Sequence, residues 1–208
     1  TSDRVPLRFK GTFLEGTPDL VDLIDITPRQ VFGASAALIP FLAHDEGNRA
    51  LMGSNMQCQA VPLVRPASPV VGTGMESTIA SAMGRVVRSQ FDGVVDYADA
   101  ERVEIVLDKK LEVEPVGDYT ITDGGKKVIY HVTKFLRTAQ STAYNQKVKV
   151  VAGQKIKKSD LLIDGPASED GELALGQNML VAYTSFMGYG FEDAIVVSDK
   201  LVKDDMLT

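Results

Sequence analysis

From Arg85 to Val151 the chain consists of short runs of β-branched and aliphatic residues broken by turn signals, which leaves little alternative to antiparallel β-structure. RVVRSQ, GVVDYA and RVEIVL are three such runs, divided at Asp92-Gly93 and again at Ala98 to Glu101. Asp123-Gly124-Gly125 then separates YTIT from KKVIYHVTKF and predicts a long hairpin. In its second arm Val128, Tyr130 and Val132, with Lys134 in the same register, fall on one face, and Ile129, His131 and Thr133 on the other. His131 reads as an ordinary strand residue. From Val150, VVAGQKIKKSDLLIDG predicts a small barrel with a glycine turn, a basic hairpin tip and an apolar return strand, in which Lys155, Lys157 and Lys158 form a solvated charge cluster. Pro166 to Gly171 reads as a polar loop, and the second half of GELALGQNMLVAYTSF as a buried strand.

The flanks are less regular. Leu7 to Phe13 predicts one short strand, followed by a turn around Glu15 to Pro18, and Leu20 to Phe32 with its Pro28 is extended or turn-like. Ala34 to Leu42 is strongly apolar and helical as far as Pro40. Met75 to Met83 is a second amphipathic helix, stopped by Gly84. Ahead of it Gly72, Gly74 and Glu76 have the look of a nucleotide loop, but neither the dinucleotide nor the Gly-Lys-Ser/Thr spacing follows. The plainer reading is a turn.

The densest chemistry lies between Ala43 and Pro62, AHDEGNRALMGSNMQCQAVP. Gly47 and Gly53 each cost a helix about 1 kcal/mol against Ala, and Ser54 with Gln57 reads as a capping box, so the expectation is a helix, a break and a second helix. Asp45 and Arg49 have the spacing of a helical ion pair, ordinarily a surface feature worth about 0–1 kcal/mol. On a fully helical chain Asp45, Asn48, Arg49 and Met52 share one face, which suits a phosphate-bearing ligand because guanidinium matches phosphate bidentately. Near the other end Glu192 and Asp193 precede AIVV; adjacent carboxylates are weak evidence for a metal, and a solvent-exposed turn is the simpler reading.

With 208 residues, 44% of them hydrophobic, the chain can bury a core. Cys58 is its single cysteine, which excludes an internal disulfide, and with two histidines a zinc site is not expected. No apolar run reaches the ~18–20 residues needed to cross a bilayer, so a soluble, cytoplasmic protein is expected. A net charge of -6 argues against a self-sufficient nucleic-acid binder.

NRALMGSNMQ followed by QAVP, the strings DLLIDGPAS and GELALGQNMLVAY, and GYGFEDAI from Gly188 to Ile195 together resemble, in the same order, the β subunit of bacterial-type DNA-directed RNA polymerase. The resemblance runs from about Asp25 to Leu201. It implies an α+β, predominantly β fold: a partial double-psi β-barrel with a sandwich-barrel hybrid insertion and a few short helices. Residues 1–33 would be a connector, 34–90 the fork-side helices and the start of the catalytic barrel, 91–170 the insertion, and 171–208 the return strand, acidic loop and start of the next helix. Because such subunits are several times longer, a fragment or split subunit is expected, inactive alone.

The resemblance also implies roles. Arg49 would contact the phosphates of the incoming nucleoside triphosphate, with Asp45, Glu46 and Asn48 shaping the pocket. Glu192 and Asp193 would lie near the second magnesium ion, in part through water, while the β′ subunit holds the principal Mg2+. Cys58, where many relatives carry arginine, would border the rifamycin pocket, and Gly190 stands where asparagine is usual. Implied partners are the β′, α and sigma subunits, the remainder of β, the DNA template, nascent RNA and nucleoside triphosphates, in a nucleoid-associated setting with no membrane. The rival reading is a biotinyl- or lipoyl-type carrier on a similar barrel, against which the lysine cluster lacks the flanking residues of a modified hairpin tip.

Overall fold

A computed structural model describes residues 4–24, 26, 28–111 and 119–208. Asp25 and Thr27 of the Leu20–Phe32 stretch, and residues 112–118 of the β-rich stretch, lie outside the described residues. The chain divides into two compact units, Thr1–Gly33 and Ala34–Thr208.

The first unit is a hairpin of β1 (Val5–Phe9) and β2 (Thr12–Gly16). Phe9 pairs with Thr12, so Lys10 and Gly11 make a two-residue loop with φ of 46° and 86°. Positive φ at both central positions matches the twist of antiparallel arms. The single strand expected over Leu7–Phe13 is therefore two, folded at Lys10-Gly11. Single 3₁₀ turns follow at Pro18–Leu20 and Pro28–Val31.

The second unit begins with α1 (Ala34–Ala37), which ends before the expected Pro40 because the residue preceding a proline disfavours helical backbone. A 3₁₀ turn, Leu42–His44, leads to α2 (Gly47–Cys58), and α3 (Glu76–Ala82) is followed by Gly84 at φ 64°. Then come β3 (Val87–Arg88), β4 (Gly93–Ala98), β5 (Arg102–Leu107), β6 (Tyr119–Thr122), β7 (Lys127–His131), β8 (Leu136–Arg137) and β9 (Ala143–Tyr144). After these follow β10 (Lys147–Val148), β11 (Lys155–Ile156), β12 (Leu161–Asp164), β13 (Ser168–Glu169), β14 (Glu172–Leu173) and a last helix, α4 (Asp199–Lys203). The composition is mainly β with a few short helices, and among the described residues no sheet closes into a barrel.

Two antiparallel sheets build the core: five strands in the order β11-β4-β5-β7-β6, and three in the order β10-β12-β3. Val95, Val103, Ile105, Val128, Tyr130 and Ile156 of the larger sheet meet Leu162 and Ile163 of the smaller in one apolar cluster. Val128 and Tyr130 are buried as the alternation in KVIYH predicts, while His131 is an exposed strand residue beside the Thr120 hydroxyl at 3.2 Å. On the outer face a bulge between Val95 and Tyr97 brings Asp96 to Lys127 at 2.9 Å, and Lys127 also pairs with Glu104, which Arg102 contacts at 2.9 Å. Glu104 first and Asp96 second hold the Lys127 ammonium above its ordinary pKa.

Three expectations are corrected. β11 pairs with β4, whereas β12 lies between β10 and β3, so Lys155 to Lys158 join two sheets and form no hairpin tip. Residues 166–171 are not a solvated loop: most are buried, and Ser168–Glu169 is a strand. The cause is Asp164, fully buried, whose carboxylate accepts the N–H groups of Asp170 and Gly171, each at 2.8 Å, and faces the Lys149 ammonium at 3.3 Å. Buried charge of this kind is tolerated only when paired and hydrogen-bonded. Finally, residues 177–186 form no strand: Leu180 and Tyr183 are wholly exposed, because an apolar run becomes a strand only where a neighbouring edge accepts its backbone groups.

Candidate functional site

The stretch from Ala43 to Pro62 folds differently from its sequence expectation. α2 is continuous through Gly53, and the break is absent. Gly53 faces Ile39, whose Cδ1 would lie 3.7 Å from an added Cβ, so the small residue lets the preceding segment lie close. Ser54 consequently sits mid-helix and caps nothing.

The true cap is Glu46. Its backbone is extended (φ -71°, ψ 140°), and its carboxylate accepts the Arg49 N–H at 3.1 Å and the Asn48 side-chain amide at 2.7 Å. An acid there also complements the positive helix end. Asp45 lies outside the helix as the C-cap of the Leu42–His44 turn, with its N–H donating to the Leu42 carbonyl. The Asp45–Arg49 helical pair and the shared face are thus corrected: among the described residues Asp45 makes no ion pair, and the face consists of Arg49 and Met52, with Met56 one turn on. The Arg49 guanidinium donates to Met52 Sδ at 3.7 Å. Arg49, Met52 and Met56 are exposed, while Ala50, Gly53, Ser54 and Gln57 turn inward at helical spacing. Cys58, at the helix end, is exposed with the Ser35 hydroxyl 3.9 Å from its sulfur.

At the far end of the chain Phe191–Asp193 forms a 3₁₀ turn in which Glu192 and Asp193 both adopt left-handed backbone, φ 53° and 61°. Such conformations are uncommon for carboxylate residues and cost about 1–3 kcal/mol unless the surroundings hold them. Gly188, at φ 77°, supplies the bend before them, whereas Gly190 at φ -87° needs no glycine. Both acids are exposed, and no group of three or more metal-ligating side chains occurs among the described residues. No hydrogen bond or ion pair among the described residues links them to Arg49.

What sequence reasoning missed is the environment of Glu76. The 72-GTGME-76 stretch folds its glycines around the carboxylate: the Thr73 and Gly74 N–H groups donate to it at 2.8 Å each, with the Thr73 hydroxyl at 3.4 Å. A Cβ on Gly72 would come within 2.8 Å of Glu76 Oε1, so this glycine is bare to admit the acid. Burial raises the Glu76 pKa, but the Thr73, Glu76 and Gly74 N–H groups outweigh it and hold the carboxyl below its ordinary range. The loop is thus filled by the chain's own anion, which explains physically why it is no phosphate cradle. An acid two residues past a Gly-Thr-Gly turn was the available signal.

Comparison with known proteins places the chain. Residues 88–208, more than half of it, match the family model described as RNA polymerase Rpb2, domain 6. The chain is 45% identical over 207 residues to the DNA-directed RNA polymerase subunit beta of Cytophaga hutchinsonii, covering 100% of this chain and 16% of that one. It is 45% identical over 206 residues to the subunit beta of Thermosynechococcus vestitus (99% and 17%), and 46% identical over 201 residues to that of Streptococcus pneumoniae (97% and 16%). It therefore spans about a sixth of the length of these relatives. With a family model over most of its length and near-half identity along nearly all of it, the chain belongs to the DNA-directed RNA polymerase β-subunit family.

Proposed function

We propose that this chain is part of the catalytic core of a multisubunit DNA-directed RNA polymerase, where it helps to bind the incoming nucleoside triphosphate during DNA-templated RNA synthesis. The observation that carries the reading is Arg49, an exposed guanidinium on the first turn of α2 with no carboxylate paired to it among the described residues. Glu46, the nearest acid in sequence on the helix side, is engaged by the Arg49 N–H and the Asn48 amide. The guanidinium is therefore free to present its donors to a phosphate, for which its planar fork is suited. Met52 steadies the side chain, and Asn48 and Asp45 would line the approach.

Glu192 and Asp193 suit a magnesium ion only in part. Two exposed carboxylate side chains supply hard oxygen donors, but Mg2+ takes octahedral oxygen coordination and keeps several waters, so they would serve as supports through water to an ion whose other ligands are the nucleotide and another subunit. Such an ion neutralises charge on the triphosphate. The residues of this chain position substrate, and the principal Mg2+ falls to β′. On the same reading the chain operates with the remainder of β and with β′, α and sigma around template DNA and nascent RNA. Cys58 borders the rifamycin pocket, and the double-psi barrel, split into the segments 1–33, 34–90, 91–170 and 171–208, is completed by other parts of the enzyme.

The test is Arg49→Ala in the reconstituted polymerase. Losing a charge-assisted phosphate contact of about 1.5–3 kcal/mol raises the apparent KM for nucleotides roughly 10- to 100-fold with assembly intact. Unaltered elongation kinetics would remove the assignment.

A further inference from the structure

A cleft of ≈ 210 Å³ lies between the helices and the 62–71 segment, walled by Leu38, Pro40, Pro69, Val71, Leu173 and Leu175, with Gln57, Glu76, Gln177 and Asn178 as its polar lining. No Lys, Arg or His lines it. Its amide donors are already committed: Asn178 Nδ2 donates to the Ser68 carbonyl at 2.7 Å and Gln177 Nε2 to the Arg65 carbonyl. The acceptors are not. Gln57 Oε1 is buried without a hydrogen-bond partner, a state that costs a protein about 1–3 kcal/mol. Glu76 is buried and forms no ion pair among the described residues; its Oε1 takes two donors but its Oε2 only one, leaving an acceptor direction open.

An apolar-walled cleft whose free polar atoms are acceptors around an unpaired acid selects a particular ligand. It must bring several N–H donors, a positive charge and a small hydrophobic body. We propose that this cleft binds an amidinium or guanidinium group carried on a small apolar body, with N–H donors to Gln57 Oε1 and the Glu76 carboxylate. Such a group is either part of a free small molecule or the arginine side chain of a neighbouring polypeptide. A simple ammonium is disfavoured because three tetrahedral donors on one point charge match two separated acceptors poorly, whereas a planar fork reaches both. The inference does not depend on the nucleotide assignment, since Gln57 belongs to the inward face of α2 and Arg49 to its exposed one.

The experiment is an NMR titration of the 208-residue chain with benzamidinium, with its neutral isostere benzamide, and with a blocked arginine amide. Saturable binding of benzamidinium or of the arginine amide that shifts the Gln57 side-chain amide supports the site, and which of the two binds identifies the source. Gln57→Leu removes the unpartnered acceptor without cost to folding, and is expected to weaken that binding about tenfold or more, as is exchange of benzamidinium for benzamide. Absence of saturable binding, equal binding of benzamide, or equal binding by a folded Gln57→Leu chain overturns it. Should that variant not fold, the comparison of benzamidinium with benzamide on the unaltered chain decides alone.

Discussion

Residues 86–107 and residues 177–197 are comparably rich in apolar side chains, yet they end in opposite states. In the first, Val86, Val95, Val103, Ile105 and Leu107 are buried; in the second, Leu180, Val181, Tyr183, Ile195 and Val197 are all exposed. The difference lies in partners. β5 is hydrogen-bonded on both edges, to β4 and to β7, and every inward side chain meets the second sheet. The 177–197 stretch has one anchor of that kind nearby, the bridge of Ala67 to Gly176, beyond which neither face nor edge is covered within the described residues. Apolar content specifies a wish to be buried; only pairing specifies where.

Mutations can break this contrast or sharpen it. The largest effect is expected at Asp164, where Asp164→Ala strands the Asp170 and Gly171 N–H groups and the Lys149 ammonium; denaturant unfolding should register a loss of about 3–5 kcal/mol. Ile105→Ala, in the doubly paired strand, should cost about 2–5 kcal/mol by the same measurement. Glu76 gives a smaller effect with a pH signature. Its folded pKa is depressed, so its contribution is fully present above the unfolded value of 4.5 and is lost as pH falls through the lower folded value. Glu76→Gln should flatten that acid limb in melts recorded at descending pH, while an unchanged limb would show that the loop does not favour the charged form. The smallest effect is expected at Leu180→Ser, within about 0.5 kcal/mol. A loss as large as that of Ile105→Ala would mean that the second region is packed after all.

The same contrast explains what could be read from sequence. Alternation in RVEIVL and KVIYH, the Asp-Gly-Gly turn, and the helix stopped by Gly84 are local signals, and each appears in its expected place. Long-range choices were not legible. Nothing in KIKKSDLLIDG announces that its two halves pair with different sheets, and nothing in DGPASED distinguishes a buried aspartate that gathers N–H groups from a solvated loop. At α2 the glycine at 53 reads as a break by propensity, but close packing beside Ile39 outweighs its intrinsic cost. Arg49 was legible as a residue of interest, and its pairing was not, because the helix starts one residue beyond Asp45.

β3 and β12, far apart in sequence, are neighbours in the smaller sheet, and where they meet the Ser89 N–H donates to the Asp160 carbonyl at 2.8 Å and the Ser159 N–H returns to Ser89 at 2.7 Å. Everything between leaves and re-enters the fold through one clasp. A segment closed in this way can grow, shrink or be exchanged without dragging its flanks along. For a subunit that must keep its working parts in register, that clasp is what confines novelty to the periphery.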